Sequence, residues 1–146
     1  MKVYSSAFKG GEYIPEKYTC DGGNINPPLF VEEIPTEAKS LVLIMDDPDS
    51  PSGTWTHWTL WNINPKIKEI KENFVPVGAI DGLTSFQDVG YGGPCPHKGT
   101  HRYFFKLYAL DSVLELSAGS DIKALEGAMI GRVISEASFY GLYKRK

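Results

Sequence analysis

A chain of 146 residues with 42% apolar side chains can bury one hydrophobic core and is too apolar to be disordered, so we expect a single domain spanning residues 1–146. The net charge is −3 and the only basic run is residues 144–146, which argues against a nucleic-acid-binding surface. The longest apolar run, residues 41–45, is too short to cross a membrane and no apolar leader is visible, so we expect a cytoplasmic protein with at most peripheral membrane contact.

The first part of the chain alternates short apolar runs with turn-rich segments, a pattern typical of short strands. We predict an edge strand at residues 2–8 and a short strand at residues 29–31. The run at residues 41–45 is apolar throughout and bounded by turn signals, which indicates a strand buried on both faces. Residues 18–28 and 46–54 are rich in Gly, Asn, Asp, Ser and Pro, so we predict loops there.

The middle of the chain contains one clear strand and one long irregular segment. Strict alternation in the strand predicted at residues 58–63 places Leu60 and Ile63 on opposite faces. Residues 66–73 are amphipathic and fit either a strand or one helical turn. Residues 74–98 show no periodicity and are rich in Gly and Pro. A loop of this length inside a compact domain is usually functional or mobile.

The last part of the chain contains the strongest strand and the one helix. Residues 101–110 carry aromatic side chains on both faces, as expected of a central strand. Ser120 is the expected N-cap of a helix of about three turns that ends near Gly131. Residues 133–143 form the last predicted strand. About eight short strands and one late helix predict a mainly β fold, an antiparallel β-sandwich with the helix packed at one edge.

The two cysteines, Cys20 and Cys95, are not spaced as a redox or zinc motif. In a cytoplasmic protein we expect two free thiols near loops. The alternative is a disulfide that ties the two loops together.

Ionisable side chains cluster where predicted loops meet predicted strands. His57 follows the loop that contains Asp47 and Asp49, and His101 opens the strand that follows the Gly-Pro-rich loop. Tyr103 lies two residues after His101 and therefore points to the same face. A β-sandwich builds a site at one end in this way.

Four interpretations fit these residues. Imidazole, phenol and glycine backbone donors suit the capture of a phosphate or carboxylate, with Asp47 orienting one histidine. A metal site is disfavoured because tight ligand spacing is absent. A serine hydrolase is disfavoured because no nucleophile motif occurs. The remaining alternative is structural, with the aspartates capping turns and the histidines satisfied in the core. Arg102 faces away from His101 and is expected to pair with a carboxylate, and His97 is expected to be exposed.

Three stretches resemble the signatures of the phosphatidylethanolamine-binding protein family. The sequence DDPDSPSGTWTHWTLWNI at residues 46–63 is similar to the first signature, and GGPCPHKGTHRYFFKLYAL at residues 92–110 is similar to the second. YTCDGGNINPPL at residues 18–29 resembles the N-terminal loop of the bacterial and archaeal branch, often labelled Raf kinase inhibitor-like. The resemblance covers essentially the whole chain.

The resemblance implies a β-sandwich with Greek-key connections and a small anion pocket at one end. The implied ligand-binding residues, carried over position by position, are Asp47, His57, Gly93, Pro94, His101 and Tyr103. Asp49 is expected to brace the loop. Gly53 stands where animal and plant members have an arginine, and their longer insertion with a pocket tyrosine is missing here. Trp55 is the candidate for that wall, and both differences match the prokaryotic branch of the family.

We therefore predict a non-catalytic binding protein for a phosphate-type or other small anionic group on a lipid head group, a metabolite or a phosphorylated protein. The alternative is a protein–protein inhibitor of a serine protease or kinase, with residues 74–98 inserting into the partner. An unrecognised hydrolase is a third hypothesis. No cofactor and no metal are expected. The resemblance also implies a possible homodimer.

Overall fold

The computed structural model describes residues 1–146 and contains two antiparallel sheets and one α-helix. The eight strands are β1 Lys2–Tyr4, β2 Leu29–Glu32, β3 Ser40–Asp47, β4 Trp55–Ile63, β5 Glu69–Ile70, β6 Ile80–Asp81, β7 His101–Leu110 and β8 Val133–Tyr143. Helix α1 spans Ile122–Met129, and a short 3-10 helix spans Glu16–Tyr18. The prediction of a mainly β, two-sheet fold with one late helix is confirmed. No helix has the length and apolar character that a membrane crossing requires.

The two sheets pack face to face around the main core. The small sheet has the order β1-β2-β5, and the large sheet has the order β6-β4-β3-β7-β8. Between them lie Leu29 and Ile70 from the small sheet, together with Leu43 and Phe105 from the large sheet. Strand β3 is central and every one of its residues is buried, as the apolar run at residues 41–45 predicts. The predicted loop 46–54 begins later than expected, because Asp46 and Asp47 pair with β4 and belong to β3.

Helix α1 packs on the outer face of the large sheet and not at its edge as predicted. Leu125 and Met129 contact Val42, Ile44 and their neighbours in a second, smaller core. A sheet with apolar side chains on both faces needs a second covering layer, which explains this position.

The boundaries of helix α1 also differ from the prediction. The N-cap is Asp121 and not Ser120, because the Asp121 carboxylate accepts a hydrogen bond from the Ala124 N–H at 2.9 Å. The helix is only eight residues long and ends at Met129. Gly131, with φ of 76°, follows in the left-handed conformation that disfavours continuation.

Two bulges break the alternation of β4. Leu41 pairs with Ile63 and Leu43 with Leu60, so β4 contains one extra residue next to Asn62, whose φ is 54°. Ile63 therefore joins Leu60 in the main core, and the predicted placement of Ile63 on the opposite face is wrong. The second bulge lies at the cavity end of the strand and is described below.

Several short elements differ from their predicted bounds or were not predicted. The predicted edge strand 2–8 is shorter and ends at Tyr4, while residues 66–73 contain strand β5. Residues 74–98 contain β6 and an isolated bridge between Leu83 and Val89. Short pairings of two residues leave no periodic pattern, which is why the sequence does not reveal them.

The expectation of two free thiols is wrong, because Cys20 and Cys95 form a disulfide. The loops that carry them pack against each other and bring the two Cα atoms to 5.5 Å. The Cys20 N–H donates to the Pro94 carbonyl at 3.1 Å beside the sulfur bridge. Contact between segments 75 residues apart depends on the tertiary fold and cannot be read from cysteine spacing.

Candidate functional site

A cavity of about 180 Å³ opens at one end of the sandwich, where the loop after β3 meets the start of β7. Four of the predicted ligand-binding residues line it: Asp47, His57, His101 and Tyr103. Its other lining residues are Ser50, Pro51, Ser52, Trp55, Phe86, Cys95, Pro96, His97 and Lys98. Trp55 thus occupies the wall for which it was the candidate.

The second bulge of β4 turns His57 toward this cavity. Met45 pairs with Trp58 and Asp46 with Thr56, so His57 is the extra residue between them. Without the bulge, alternation would point His57 away from the face that Trp58 occupies. Bulges often re-aim a side chain next to a binding site in this way.

The Asp47 carboxylate orients His101 from within the protein. The Nδ1–H of His101 donates to Asp47 Oδ2 at 2.7 Å, and Asp47 Oδ1 accepts the Asp49 backbone N–H at 2.8 Å. The side chains of His101 and Asp47 are largely buried, with 12% and 5% of their surfaces exposed, respectively. This pairing fixes the tautomer of His101 and leaves its Nε2 atom without a partner in the protein.

His57 is held in a similar way by a backbone carbonyl. Its Nδ1–H donates to the Gly92 carbonyl at 2.6 Å, while its own carbonyl accepts the Gly92 N–H at 2.9 Å. Burial lowers the pKa of His57, and the hydrogen bond to Gly92 opposes this shift. The Nε2 atom is again unpartnered, so it can accept in the neutral ring or donate in the protonated ring.

Tyr103 presents a buried hydroxyl with no hydrogen-bond partner. Burial, as the main cause, and the nearby negative charge of Asp47 raise its pKa. The group is therefore a neutral phenol at physiological pH. A buried unpaired hydroxyl costs free energy, and native structures keep few such groups.

Phe86 forms an aromatic wall that sequence reasoning missed. Its ring packs edge-on against His57 at 5.2 Å and against Trp55 at 5.5 Å between ring centroids. A Cβ atom on Gly92 would lie 2.7 Å from this ring, so a larger residue there would displace the ring from its position. Phe86 sits alone in the turn between Thr84 and Asp88, where neither period nor motif marks it.

Asp49 lies outside the cavity and ties the loop after β3 to the start of β7. Its carboxylate accepts from the Arg102 backbone N–H at 2.9 Å, from Nε at 2.9 Å and from Nη2 at 2.8 Å. The Arg102 guanidinium holds the pKa of Asp49 down at about 2. This is the contact expected of a brace, and it gives Arg102 the carboxylate partner that the sequence predicted.

Gly93 and Pro94 do not line the cavity, although both were predicted to bind ligand. The Gly93 N–H donates to Asn24 Oδ1 at 2.8 Å, and the backbone of Tyr18 leaves no space for a Cβ at this position. The Pro94 carbonyl accepts the Cys20 N–H. These residues hold the 92–98 loop against the 18–28 loop, so their polar backbone atoms are already occupied.

No three His, Cys, Asp or Glu side chains are grouped so that they could hold a metal ion. The arrangement instead offers two ring nitrogens and one phenol hydroxyl to a small polar group. Exposed His97 and Lys98 lie at the rim and add positive charge when protonated.

Comparisons with known proteins agree on one family. A family model described as phosphatidylethanolamine-binding protein matches residues 4–144. A protein named UPF0098 protein from Methanothermobacter thermautotrophicus is 48% identical, with the alignment covering 99% of each chain. One from Pyrococcus horikoshii, also named UPF0098 protein, is 49% identical over 100% of this chain and 77% of its own length.

Two solved structures have the same fold. A putative phosphatidylethanolamine-binding protein homologue from Chlamydia trachomatis superposes with a TM-score of 0.95 at 41% identity, covering 99% of this chain and 97% of its own. A protein from E. coli, described as a new member of the mammalian phosphatidylethanolamine-binding protein family, superposes with a TM-score of 0.92 at 28% identity. The alignment covers 99% of this chain and 98% of the E. coli chain.

Proposed function

Because this chain belongs to the phosphatidylethanolamine-binding protein family, we propose that it is a non-catalytic binding protein whose cavity captures a phosphate-type or other small anionic group. The group is carried by a lipid head group, a metabolite or a phosphorylated protein. These three sources share one chemistry, an oxyanion that accepts several hydrogen bonds.

One observation carries this proposal: three polar groups without partners belong to residues that line one cavity. The Nε2 atoms of His57 and His101 and the hydroxyl of Tyr103 make no hydrogen bond within the protein. Hydrogen bonds at Nδ1 hold the two imidazole rings, and packing holds the Tyr103 ring. Because the rings are already ordered in the free protein, ligand binding costs little side-chain entropy. An oxyanion accepts hydrogen bonds from all three groups when the histidines are protonated at Nε2.

The absence of a nucleophile beside His101 supports binding over catalysis. The Asp47–His101 pair is similar to the base half of a hydrolytic triad. Ser50 and Ser52 line the same cavity, but their hydroxyls contact each other at 3.3 Å and neither hydrogen-bonds to an imidazole. The hydrolase alternative predicts turnover that is lost in His101→Ala, and activity unchanged in that variant would indicate a contaminant.

A titration with phosphorylethanolamine, followed by NMR of the imidazole nitrogens, tests the proposal. We expect saturable shifts of the Nε2 resonances of His57 and His101 at millimolar ligand. Ethanolamine without phosphate is the control and should leave both resonances in place. No shift with phosphorylethanolamine, or an equal shift with the control, would contradict anion capture.

Inhibition of a serine protease or kinase remains the alternative, and one observation favours it. The loop after β5 exposes apolar side chains, with Val77 exposed to 90% and Phe74 to 49%. Exposed apolar residues on a turn are suited to insertion into another protein. A panel of proteases and kinases should then include one that is inhibited by the wild type but not by Val77→Glu. Val113→Glu, at a second exposed site, is the matched control.

The homodimer stays a prediction. Strand β8 forms one end of the large sheet, and its segment 133–139 has no strand on the outer side. Ile130, Val133 and Ile134 are exposed near this edge. Light scattering of the wild type and of Ile134→Lys would decide it, since a charged edge residue opposes strand pairing between copies.

A further inference from the structure

The Cys20–Cys95 disulfide lies beside two cavities. Cys95 lines the anion cavity, and both cysteines line a second cavity of about 180 Å³ on the other side of Phe86. Neither cysteine is fully buried. A small thiol therefore has open space next to the sulfur–sulfur bond, unlike at a disulfide enclosed in a core.

The wall segment 96–100 makes few hydrogen bonds, although Pro96 is buried. No backbone N–H or C=O of these residues hydrogen-bonds to another part of the chain. Thr100 makes one contact at the limit of hydrogen bonding, 3.5 Å between its Oγ1 and the Tyr13 hydroxyl. The disulfide at Cys95 is the covalent tie that fixes the start of the segment.

We propose that the disulfide is a thiol-exchange site that regulates the anion cavity, an inference that rests on the function proposed above. A thiolate of a small dithiol attacks one sulfur, forms a mixed disulfide and releases the other cysteine as a thiolate. The second thiol of the same molecule then displaces the first cysteine. The dithiol leaves as a cyclic disulfide, and the protein gains two electrons and two protons as two thiols.

Opening the disulfide loosens one wall of the cavity, because only the hydrogen bonds at Gly93 and Pro94 then tie the start of this wall to the 18–28 loop. Residues 95–98 lose their covalent tie to the 18–28 loop. The hydrogen bond between Asp47 and His101 does not involve this segment and is retained. If the reduced segment holds the binding geometry for about a tenth of the time, the apparent Kd for an anion rises about tenfold.

The first experiment measures whether the disulfide opens in the folded protein. The wild type is incubated with dithiothreitol, then alkylated, and the alkyl groups are counted by intact mass while circular dichroism monitors the fold. We expect both cysteines to become alkylated with a native spectrum. A disulfide that opens only after unfolding would overturn the proposal.

The second experiment measures phosphorylethanolamine binding by calorimetry in the oxidised, reduced and reoxidised wild type. We expect about a tenfold weaker Kd after reduction and full recovery after reoxidation. The double variant Cys20→Ser/Cys95→Ser should bind as weakly as the reduced protein and should not respond to dithiothreitol. The same Kd in both redox states, or a response in the double variant, would overturn the proposal.

A readout without ligand separates failure of this inference from failure of the proposed function. If the oxidised protein binds no phosphorylethanolamine, the proposed function is contradicted. The ring resonances of His57, His101 and Tyr103 are then compared before and after reduction. We expect reduction to shift them, and unchanged resonances would show that the disulfide does not control the cavity wall.

Discussion

Asp46 and Asp47 are neighbours on β3, but their side chains lie on opposite faces of the large sheet. On the outer face, Asp46 accepts one hydrogen bond from Lys106 at 2.8 Å, and its other carboxylate oxygen is buried without a partner. On the cavity face, both oxygens of Asp47 are occupied, by His101 and by the Asp49 N–H. A buried carboxylate alone therefore does not indicate a binding site. What distinguishes Asp47 is that its partner presents a free nitrogen to a cavity.

The largest expected difference between the two faces is in anion binding. Asp47→Asn removes the charge that orients His101, and a charge-assisted hydrogen bond is worth about 1.5–3 kcal/mol. We expect phosphorylethanolamine to bind about 10- to 100-fold more weakly. Asp46→Asn is the matched control on the opposite face and should leave the Kd unchanged. Calorimetry on both variants checks this, and equal losses would show that the two carboxylates are not functionally distinct.

Removal of Lys106 tests whether the Lys106–Asp46 ion pair on the outer face of the large sheet has only a structural role. Lys106→Met leaves the Asp46 carboxylate buried without its cation, so we expect a loss of about 1–3 kcal/mol in the free energy of unfolding. Adding Asp46→Asn to Lys106→Met should recover most of this loss. Urea denaturation measures both. Weaker anion binding in Lys106→Met would contradict the independence of the two faces.

The pH dependence of stability should reveal the unfavourable setting of Asp46. Burial raises its pKa, and the Lys106 ammonium only partly opposes the shift. The folded state therefore favours the protonated carboxyl, and this stabilisation is lost as the pH rises from the unfolded pKa of about 3.9 through the folded pKa. We expect Asp46→Asn to gain stability relative to the wild type over this range. A loss of stability of Asp46→Asn relative to the wild type as the pH rises would contradict the assigned direction of the pKa shift.

A smaller effect on anion binding is expected from Tyr103→Phe, with Tyr108→Phe on the opposite face of β7 as the control. Tyr103→Phe removes one neutral hydrogen bond to the anion, worth about 1 kcal/mol, so we expect roughly fivefold weaker binding. Stability should stay the same or rise, since the hydroxyl is buried and unpaired. Tyr108→Phe, on the outer face, should change neither quantity. A clear loss of stability in Tyr103→Phe would mean that its hydroxyl has a partner within the protein.

The smallest expected effect is at the Arg102–Asp49 pair, which is largely exposed. Exposed ion pairs contribute little, so Arg102→Gln should lower stability only slightly, and less at high salt. The pKa of Asp49 is held at about 2, so its contribution is present above the unfolded pKa and is lost as the pH falls through about 2. Thermal melts should therefore show the two proteins converging in acid. A stability difference between the wild type and Arg102→Gln that widens on acidification would contradict this assignment.

The sequence predicts most of the fold because strong patterns survive in the structure. The strands at residues 101–110 and 133–143 have the predicted bounds, since long alternating runs bury one face unambiguously. The placement of Ile63 could not be predicted, because a bulge inserts one residue and reverses the alternation after it. The bulge depends on pairing with β3, which no local pattern encodes.

The candidate site is predictable only in part, for a related reason. His57, His101 and Tyr103 are marked by their positions at loop–strand junctions and by the family signatures. Phe86 and the Cys20–Cys95 bridge are set by contacts between loops distant in sequence. The backbone donor expected at Gly93 is already used by Asn24, a competition that motif matching does not detect.

A crystal structure grown from phosphate buffer tests the central claim most directly. We expect an anion with oxygens about 2.7–3.2 Å from the Nε2 atoms of His57 and His101 and from the Tyr103 hydroxyl. Reduced density in Asp47→Asn crystals, with the anion retained in Asp46→Asn crystals, would assign that binding to the cavity face of β3. An empty cavity in the wild type, or a phosphate bound only elsewhere on the surface, would contradict anion capture at this site.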